Sequence, residues 1–280
     1  MSNYWRNRYL SQEKILLDKS IEETENHLIK LYSNSLQLNE RELRNLLNDL
    51  QKQGIEGEMK INDLYRYNRY WEVRADLNRR LLELGRKQND SLEKDLVDMY
   101  KRVQIYFNHN PKFMARTMNG KLVKAVNARP VDMSSPIVSE RAQAIVNSVW
   151  CADGKYWSER TWVHMDELQQ DIENGLLDII TRGTNPDELT QTLMRDFGKS
   201  YHQAQALVRT ELNHVYTQAA AERYADAGCE FYEVIAQQSE DECLEYDGQV
   251  YRLDMMVEGE NAPPFHTNCK CTIVPVIGGN

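Results

Sequence analysis

Apolar residues in the first part of the chain recur at helical spacing. From Leu10 to Leu31 the inward positions alternate at spacings of four and three, as in a heptad seam that packs within its own chain. Asn39, with Glu42 three residues later, has the pattern of a capping box, so a new helix is expected to begin there. Gly54 occupies a position typical of a helix C-terminus. The seam consists of Leu10, Lys14, Leu17, Ile21, Thr24, Leu28 and Leu31.

A second long helical stretch is predicted from about residue 61 to Phe107. Leu77, Leu81 and Leu84 form its apolar seam, which resumes after a shift of one residue around Gly85–Asp90. The shift predicts a bend or break in the helix. Together the two stretches make residues 1–110 a long-helix N-terminal region, an arm or a hairpin with coiled-coil character.

Residues 111–136 interrupt this pattern with prolines and a glycine, and they are locally basic. They are predicted to form a linker or a partly ordered connection. Lys and Arg side chains neutralise phosphates, so this segment is the expected contact for nucleic acid or an acidic partner. A solvated basic loop is the alternative. The basic residues are Lys112, Arg116, Lys121, Lys124 and Arg129.

The remaining residues, 137–280, are predicted to form a compact α+β domain. Three helices are expected, opened by Ser158, by Asn185 followed by Pro186, and by Ser200, with the second ending at Gly198. After the third helix the hydrophobic pattern becomes alternating, which predicts strands at 231–236, 250–251 and 272–274. The predicted fold class is therefore α+β and predominantly helical, with long helices first and a small antiparallel sheet at the end.

The charge balance narrows the classes of function. Of the residues, 28% are charged, the net charge is −9 and the mean hydropathy is −0.68, which suits long helices with much exposed surface. Net acidity argues against a large non-specific DNA-binding face, though not against a local basic patch. No run approaches the roughly 18 apolar residues of a membrane span, and the N-terminus lacks the apolar core of a signal peptide. The five cysteines favour a reducing compartment, so a soluble intracellular protein is expected.

Four soft-metal ligands gather near the C-terminus. His266, Cys269 and Cys271 lie close together in the sequence, and Cys243 lies upstream of them. Zinc takes four tetrahedral Cys or His ligands, so a structural zinc is one hypothesis for this set. Residues two apart in an extended segment face the same way, so Cys269 and Cys271 are alternatively a pair of buried thiols. A disulfide between Cys243 and one of them is the third alternative.

A carboxylate lies on the apolar side of a predicted helix. Helix residues two apart are separated by about 200°, so Arg209 projects away while Glu211 lies beside Val208 and Val215. A buried carboxylate is costly unless it is paired. Acid-base chemistry is one role for Glu211, and anchoring a loop backbone or a neighbouring Arg is the other. Anchoring is favoured because the sequence spaces no nucleophile or second acid to work with it.

Other catalytic signals are missing from the sequence. It contains no glycine-rich phosphate loop and no Gly-x-Ser-x-Gly elbow, so no catalytic constellation is predicted. Scattered histidines without ligand spacing are interpreted as surface or satisfied core residues. These are His109, His164, His202 and His214.

Several segments in a fixed order resemble one family. They are residues 156–162, 207–213, 243–251 and 263–271. In that order they resemble the phage head morphogenesis family that includes the Mu F-like minor head proteins, over about residues 150–275. The helical first half, with Tyr4 and Trp5 near its start, is similar to the N-terminal arms of minor capsid proteins in tailed phages of Gram-positive hosts. The structural motif positions are Arg209, Glu211, Asp247, Gly248 and Pro264.

The chain departs from this family ahead of Cys243. Relatives often have an Asp-x-Arg-Thr stretch there, and sometimes another Cys, where this chain has Ala236-Gln237-Gln238-Ser239. This chain has neither the Arg nor the extra Cys there, so if that stretch carries a ligand or a charge pair in relatives, this chain lacks it.

The resemblance implies a role in assembly without catalytic residues. Members of the family are low-copy virion proteins that associate with the portal, enter the procapsid and influence DNA packaging or delivery. The implied partners are portal protein and capsid or scaffolding proteins, with packaged DNA as a further one. The implied location is inside the head, and the host cytoplasm during assembly.

Two alternative functions stay open from the sequence. The first is a metal-dependent nuclease or toxin-like enzyme that uses His266 and nearby acids around an open metal position. The second is an accessory DNA-binding protein that uses the basic residues between Lys112 and Arg129.

Overall fold

The computed structural model of this chain describes residues 14–52, 68–118, 123–151, 153–182, 186–236 and 241–278. In these ranges the backbone is mostly α-helical, and a π-helical turn at Lys14–Asp18 precedes the first helix. Short 3-10 helices lie at Asp241–Tyr246 and Leu253–Met255. The α-helices are α1 (Lys19–Lys52), α2 (Asn68–His109), α3 (Pro136–Val146), α4 (Trp157–Arg182) and α5 (Pro186–Asp226).

One sheet contains the strands of the described residues, in the order β2-β1-β5-β3-β4. The strands are β1 (Lys112–Thr117), β2 (Val123–Asn127), β3 (Phe231–Ile235), β4 (Val250–Arg252) and β5 (Thr272–Ile277). β1 pairs antiparallel with β2, and β3 pairs antiparallel with both β4 and β5. β1 runs parallel to β5, with Arg116 opposite Val276. The predicted α+β, predominantly helical class is confirmed, but the sheet is mixed where an antiparallel one was expected.

The segment 111–136 differs from the predicted linker because it contains the β1–β2 hairpin. Ala115 and Thr117 of β1 are buried, and the ring of Phe113 packs on that of Phe107 with 5.2 Å between centroids. The sequence Lys112–Thr117 does not strictly alternate apolar and polar residues, so the period of a half-buried strand is weak there. Its parallel partner β5 lies far along the chain, so no local pattern predicts the pairing.

The chain divides into two compact units. The helical unit is formed by Glu25–Ser91 and Trp157–Gln205, and the sheet unit by Met1–Thr24, Leu92–Tyr156 and Ala206–Asn280. Helices α1, α2 and α5 each contribute residues to both units.

A buried polar network lies in the helical unit. The Tyr32 hydroxyl donates to Oε1 of Gln88 (3.0 Å) and lies 3.2 Å from Oγ of Ser200, while Nε2 of Gln88 donates to Oγ1 of Thr161 (3.3 Å). Burial raises the pKa of the Tyr32 hydroxyl. Because the four residues come from α1, α2, α4 and α5, the network ties the register of all four helices.

Helix α1 is continuous through Asn39, where the sequence predicted a new helix to begin. The Asn39 side chain is buried, and its Nδ2 donates to the carbonyl oxygen of Ser35, 2.9 Å away. An N-cap side chain accepts from backbone N–H groups, so Asn39 is not a cap. Burial on the same face as Leu43 and Leu46 overrides the capping signal.

Helix α2 is one continuous element through Gly85–Asp90, where a bend or break was predicted. Gln88 occupies the inward position between Leu84 and Leu92, four residues from each, and it is buried. The buried face therefore continues without a shift, through a polar residue. Gly85 serves packing, because a Cβ there would lie 2.7 Å from Cζ3 of Trp162. The glycine allows α4 to approach α2 closely.

Helix α5 is also continuous, through Gly198 and Ser200, where one helix was predicted to end and another to begin. Ser200 is buried against Tyr32 and is not a cap. A glycine inside a helix costs about 0.5–1 kcal/mol. A helix of 41 residues with a buried face tolerates that cost because packing supplies most helical stability.

The C-terminal part of α5 packs on the sheet within the sheet unit. Leu212, Val215 and Ala219 are buried, and the Tyr224 hydroxyl donates to the carbonyl oxygen of Ile273 in β5, 3.3 Å away. The remaining helix, α3, was not predicted from the sequence. Pro136 begins it, and its buried face carries Val138, Ala142 and Val146.

Some predictions fall outside the residues that the structure describes. These concern Tyr4, Trp5, Leu10, Gly54, Lys121, Asn185 and residues 237–239. In the described ranges, none of the helices combines the length and the apolar character that crossing a membrane requires.

Candidate cysteine and histidine site

Three cysteine side chains meet in the sheet unit. The Sγ atoms of Cys243, Cys269 and Cys271 all lie within 4.8 Å of one another, and each side chain is buried. Nε2 of His266 lies 3.0 Å from Sγ of Cys243. The structure thus brings three of the four predicted ligands into one cluster, with the fourth in contact with one of them.

Local structure explains how these residues reach one place. Cys243 is in the 3-10 helix Asp241–Tyr246, while Cys269 and Cys271 lie in the extended segment that leads into β5. The rings of Tyr246 and Phe265 stack 4.0 Å apart at 13°, which joins the two segments beside the sulfurs. Ala236 at the end of β3 completes the buried cluster.

No disulfide joins these sulfurs, and all five cysteines of the chain are thiols. Cys243 Sγ and Cys269 Sγ are 3.9 Å apart, against about 2.05 Å in a disulfide. A hydrogen bond between the thiols of Cys269 and Cys271 lowers the pKa of Cys269, and the same interaction raises the pKa of Cys271. Both directions follow because one sulfur of the pair is stabilised as the thiolate while the other retains its proton.

Helix α5 fixes the backbone that carries the cysteines. The Asn213 Nδ2 donates to the carbonyl oxygens of Cys269 (2.9 Å) and Cys271 (3.2 Å). The Thr210 hydroxyl accepts from the backbone N–H of Asn268, 3.0 Å away. Asn268 has a φ of 64°, a left-handed conformation that Asn adopts more readily than most residues. Two segments that the sequence analysis singled out separately are therefore one structural unit.

The favoured interpretation of Glu211 was an anchor for a loop backbone or a neighbouring Arg, and the structure shows it holding the indole of Trp150. Its Oε2 accepts from Nε1 of Trp150, 3.1 Å away, and Glu211 is buried. Arg209 on the same helix is half-buried. Glu211 therefore satisfies the buried indole N–H, which needs an acceptor when it is removed from water.

A second polar cluster in the sheet unit was missed from the sequence. The imidazole of His214 stacks on Trp150, with 5.0 Å between centroids at 11°, and contacts the carboxylate of Glu258. Nε2 of Gln218 donates to the same carboxylate, 2.8 Å away. The expectation that His214 is a satisfied core residue fits this geometry. The available signal was its place on the face that carries Glu211, one turn earlier in the helix.

The other motif positions shape the turn before β4. Oδ1 of Asp247 accepts from the backbone N–H of Ala236 (2.9 Å). The N–H of Gly248 donates to the carbonyl oxygen of Val234 (2.8 Å), and its φ of 79° is a conformation that favours glycine. Pro264 is buried after a cis Pro263-Pro264 peptide. Asp247 and Gly248 thereby fix the turn that follows the 3-10 helix of Cys243.

Two of the described basic residues of 111–136, Arg116 and Lys124, do not share a face of the hairpin. The Arg116 guanidinium pairs with the carboxylate of Glu233. Lys124 is exposed and pairs with Ala115 across the hairpin, so Arg116 and Lys124 lie on opposite faces. Lys112 and Arg129 are exposed, and Lys121 is outside the described residues.

The donor set has a defined chemistry. Three sulfurs and an imidazole nitrogen suit a soft or borderline metal rather than magnesium or calcium. A Cys–His pair is also the arrangement of thiol nucleophiles. However, Cys243 is only 3% exposed, which leaves little room for a substrate at its sulfur. The arrangement is better suited to binding a metal inside the fold than to attacking a substrate.

Residues 170–274 match the family described as Phage Mu protein F like protein. The matched span includes the α5 segment with Glu211 and Asn213 and all four Cys and His residues of the site. The predicted resemblance to Mu F-like proteins is thereby confirmed over this span. No curated protein and no solved structure matches the chain.

Proposed function

From the match of residues 170–274 to the family described as Phage Mu protein F like protein, we propose that this chain is a minor capsid protein that acts in head morphogenesis of a tailed phage. In this proposal it associates with the portal inside the procapsid and assists head assembly, DNA packaging or DNA delivery. Its action depends on contacts with other virion proteins.

The observation that carries the proposal is the position of the motifs in the fold. The α5 residues Thr210 and Asn213 hold the segment 268–271 through three hydrogen bonds. Thr210 and Asn213 belong to segment 207–213, one of the segments that carry the resemblance, and their side chains hold the domain together. That is expected of a protein selected for a stable binding surface.

The long helices supply surface for such binding. Helix α1 has 34 residues and α2 has 42, which corresponds to about 50 and 60 Å at 1.5 Å per residue. Leu82 in α2 and Met194 in α5 are large apolar side chains that are about 60% exposed. Helices of this length with a polar outer face suit docking along neighbouring subunits.

A gene deletion tests the proposal in the phage that encodes this chain. We expect the deletion to reduce infectious particles or to leave heads defective in DNA content or delivery, and the chain to co-purify with portal protein from procapsids. Complementation with Asn213→Ala is expected to be weaker than with wild type. Complementation with Asn147→Ala is the matched control, since Asn147 is exposed at the end of α3.

Two outcomes contradict the proposal. The first is a deletion phage that assembles heads with full DNA content and normal infectivity. The second is a chain that is missing from both procapsids and portal complexes while it is present in the infected cell.

A further inference from the structure

The sulfur positions in the sheet unit approximate those around a bound metal ion. A zinc–sulfur bond is about 2.3 Å, so two sulfurs on tetrahedral zinc are about 3.8 Å apart. Cys243 Sγ and Cys269 Sγ are 3.9 Å apart, and the Sγ of Cys271 lies within 4.8 Å of both. Small side-chain adjustments bring the three thiols onto one ion.

One hydrogen bond of His266 favours the tautomer that metal ligation requires. Its Nδ1 lies 2.8 Å from the carbonyl oxygen of Thr267. A carbonyl can only accept a hydrogen bond, so in the neutral imidazole Nδ1 carries the proton and Nε2 carries the lone pair. That Nε2 faces Sγ of Cys243 at 3.0 Å. Ligating histidines usually donate their other ring N–H to such an acceptor, which fixes the orientation of the ring.

The backbone around the site is held independently of any metal. Asn213 binds the carbonyl oxygens on both sides of Lys270, and Thr210 binds the N–H of Asn268. Phe265 stacks on Tyr246 and so links the His266 segment to the helix of Cys243. The two backbone segments that carry the four candidate ligands are thus positioned by contacts that use none of the ligand atoms.

From this geometry we propose that Cys243, Cys269, Cys271 and His266 bind one zinc ion as a closed structural site. Three thiolates and an imidazole are a ligand set that zinc commonly takes in structural sites. With four protein ligands, no coordination position is left for water, so the ion joins Asp241–Tyr246 to the segment before β5 and activates no substrate. The proposal is independent of the role in head morphogenesis.

Metal analysis of the full-length protein is the direct test. Purified from zinc-replete cells, the chain is expected to contain one zinc per molecule. Cobalt(II) added to the demetallated protein is expected to give the intense visible bands of a tetrahedral thiolate site. A thiol-modifying reagent is expected to release the zinc ion only when it reacts with Cys243, Cys269 and Cys271. These measurements on the wild-type chain need no variant to fold.

Matched variants identify the ligands. Cys243→Ser, Cys269→Ser and Cys271→Ser are expected to lose the stoichiometric zinc and the cobalt spectrum. His266→Ala is expected to weaken zinc binding by more than the roughly 10- to 100-fold that loss of an outer-shell partner costs, because it removes a ligand. Cys229→Ser is the control, because Cys229 is also a buried thiol but is not part of the cluster. It is expected to keep both the ion and the spectrum.

Several results overturn the proposal. One is wild-type protein that carries no zinc and gives no tetrahedral cobalt spectrum while all its thiols are reduced. Another is a disulfide among Cys243, Cys269 and Cys271 in the native protein. A third is unchanged zinc affinity in His266→Ala. That result would show that His266 is not the fourth ligand, so the site would not be closed. Equal zinc loss in Cys229→Ser assigns the bound ion to another place.

Discussion

Nδ1 of His214 lies 2.8 Å from both carboxylate oxygens of Glu258, and both side chains are buried. Burial alone lowers the pKa of the imidazole. The charge of Glu258 and its hydrogen bond outweigh that effect, with help from Glu211 and from the carbonyl of Ile145, so the pKa of His214 is raised. The folded protein therefore keeps a proton on His214 that the unfolded chain releases near pH 6.5.

The His214–Glu258 pair is expected to make the free energy of unfolding depend on pH. A group whose pKa is raised by folding stabilises fully below its unfolded pKa, about 6.5, and loses that contribution as pH rises through the folded pKa. We expect the stability difference between wild type and Glu258→Gln to be largest below about pH 6.5 and to shrink above it. Thermal unfolding from acidic to alkaline pH measures it.

The exposed neighbour Glu260 supplies the control. Glu260→Gln is expected to follow the pH profile of the wild type. A pH-independent difference between Glu258→Gln and wild type would show that the Glu258 carboxylate does not stabilise a protonated His214.

The sequence predicted only part of this cluster. Glu211 was expected to be an anchored carboxylate because it lies on an apolar helix flank, and it is anchored. Its partner Trp150 and the pair His214–Glu258 depend on segments far apart in sequence. The local pattern around Glu258 does not predict its burial, because the side chains that contact it, His214 and Gln218, belong to α5. Such contacts follow from tertiary packing.

Two glycines in long helices predict opposite effects of the same substitution. A Cβ on Gly85 would lie 2.7 Å from Trp162 Cζ3 and 2.9 Å from Met165 Cγ, whereas a Cβ on Gly198 would meet nothing within 4 Å. Gly198→Ala is expected to stabilise by about 0.5–1 kcal/mol, since alanine is the better helix former. Gly85→Ala is expected to destabilise by about 1–3 kcal/mol, because overpacking exceeds that gain.

Denaturant unfolding of the two variants measures both effects. Each variant serves as the control for the other, because the substitution and the helical setting are the same. Stabilisation by Gly85→Ala would contradict the close approach of Trp162 to α2.

At these glycines the sequence predicted a helix break or a helix end, and the predictions were wrong. Gly85, Gly198, Asn39 and Ser200 are residue types found at helix ends, yet each lies inside a continuous helix. The amphipathic pattern on either side predicted the continuous helices correctly. Burial of a long apolar helix face stabilises the helix by more than the cost of about 1 kcal/mol for one unfavourable residue. The cysteine and histidine segment was predictable because its residue types and spacing are themselves specific.

Asn213 is predicted to be a stability residue of the sheet unit. Asn213→Ala removes both hydrogen bonds to the carbonyl oxygens of Cys269 and Cys271, which are buried contacts. Leaving buried acceptors unsatisfied costs about 1–3 kcal/mol. We expect a loss of that size in urea unfolding under reducing conditions. Asn147→Ala is expected to cost less, because the hydrogen bonds that it removes to Gln143 are exposed. Equal losses in the two variants would contradict the assignment.

The β1–β2 hairpin carries two cations with different surroundings. Arg116 is in an ion pair, whereas Lys124 is exposed. Arg116 pairs with Glu233, whose side chain is 9% exposed, so Arg116→Met leaves a largely buried carboxylate without its ion pair. We expect destabilisation of about 1–3 kcal/mol for Arg116→Met. In the Arg116→Met/Glu233→Gln double variant, the loss is expected to be smaller than the sum of the single losses. Lys124→Met is the control and is expected to be near neutral.

The same variants decide which cations can contact DNA. A cation that binds a phosphate contributes about one to the slope of log affinity against log salt. If the chain binds DNA through this hairpin, Lys124→Met is expected to reduce that slope, while Arg116→Met is expected to leave it unchanged because its charge is already matched by Glu233. A reduced slope in folded Arg116→Met would show that Arg116 leaves Glu233 to bind phosphate, and the ion pair would then be a contact that DNA replaces.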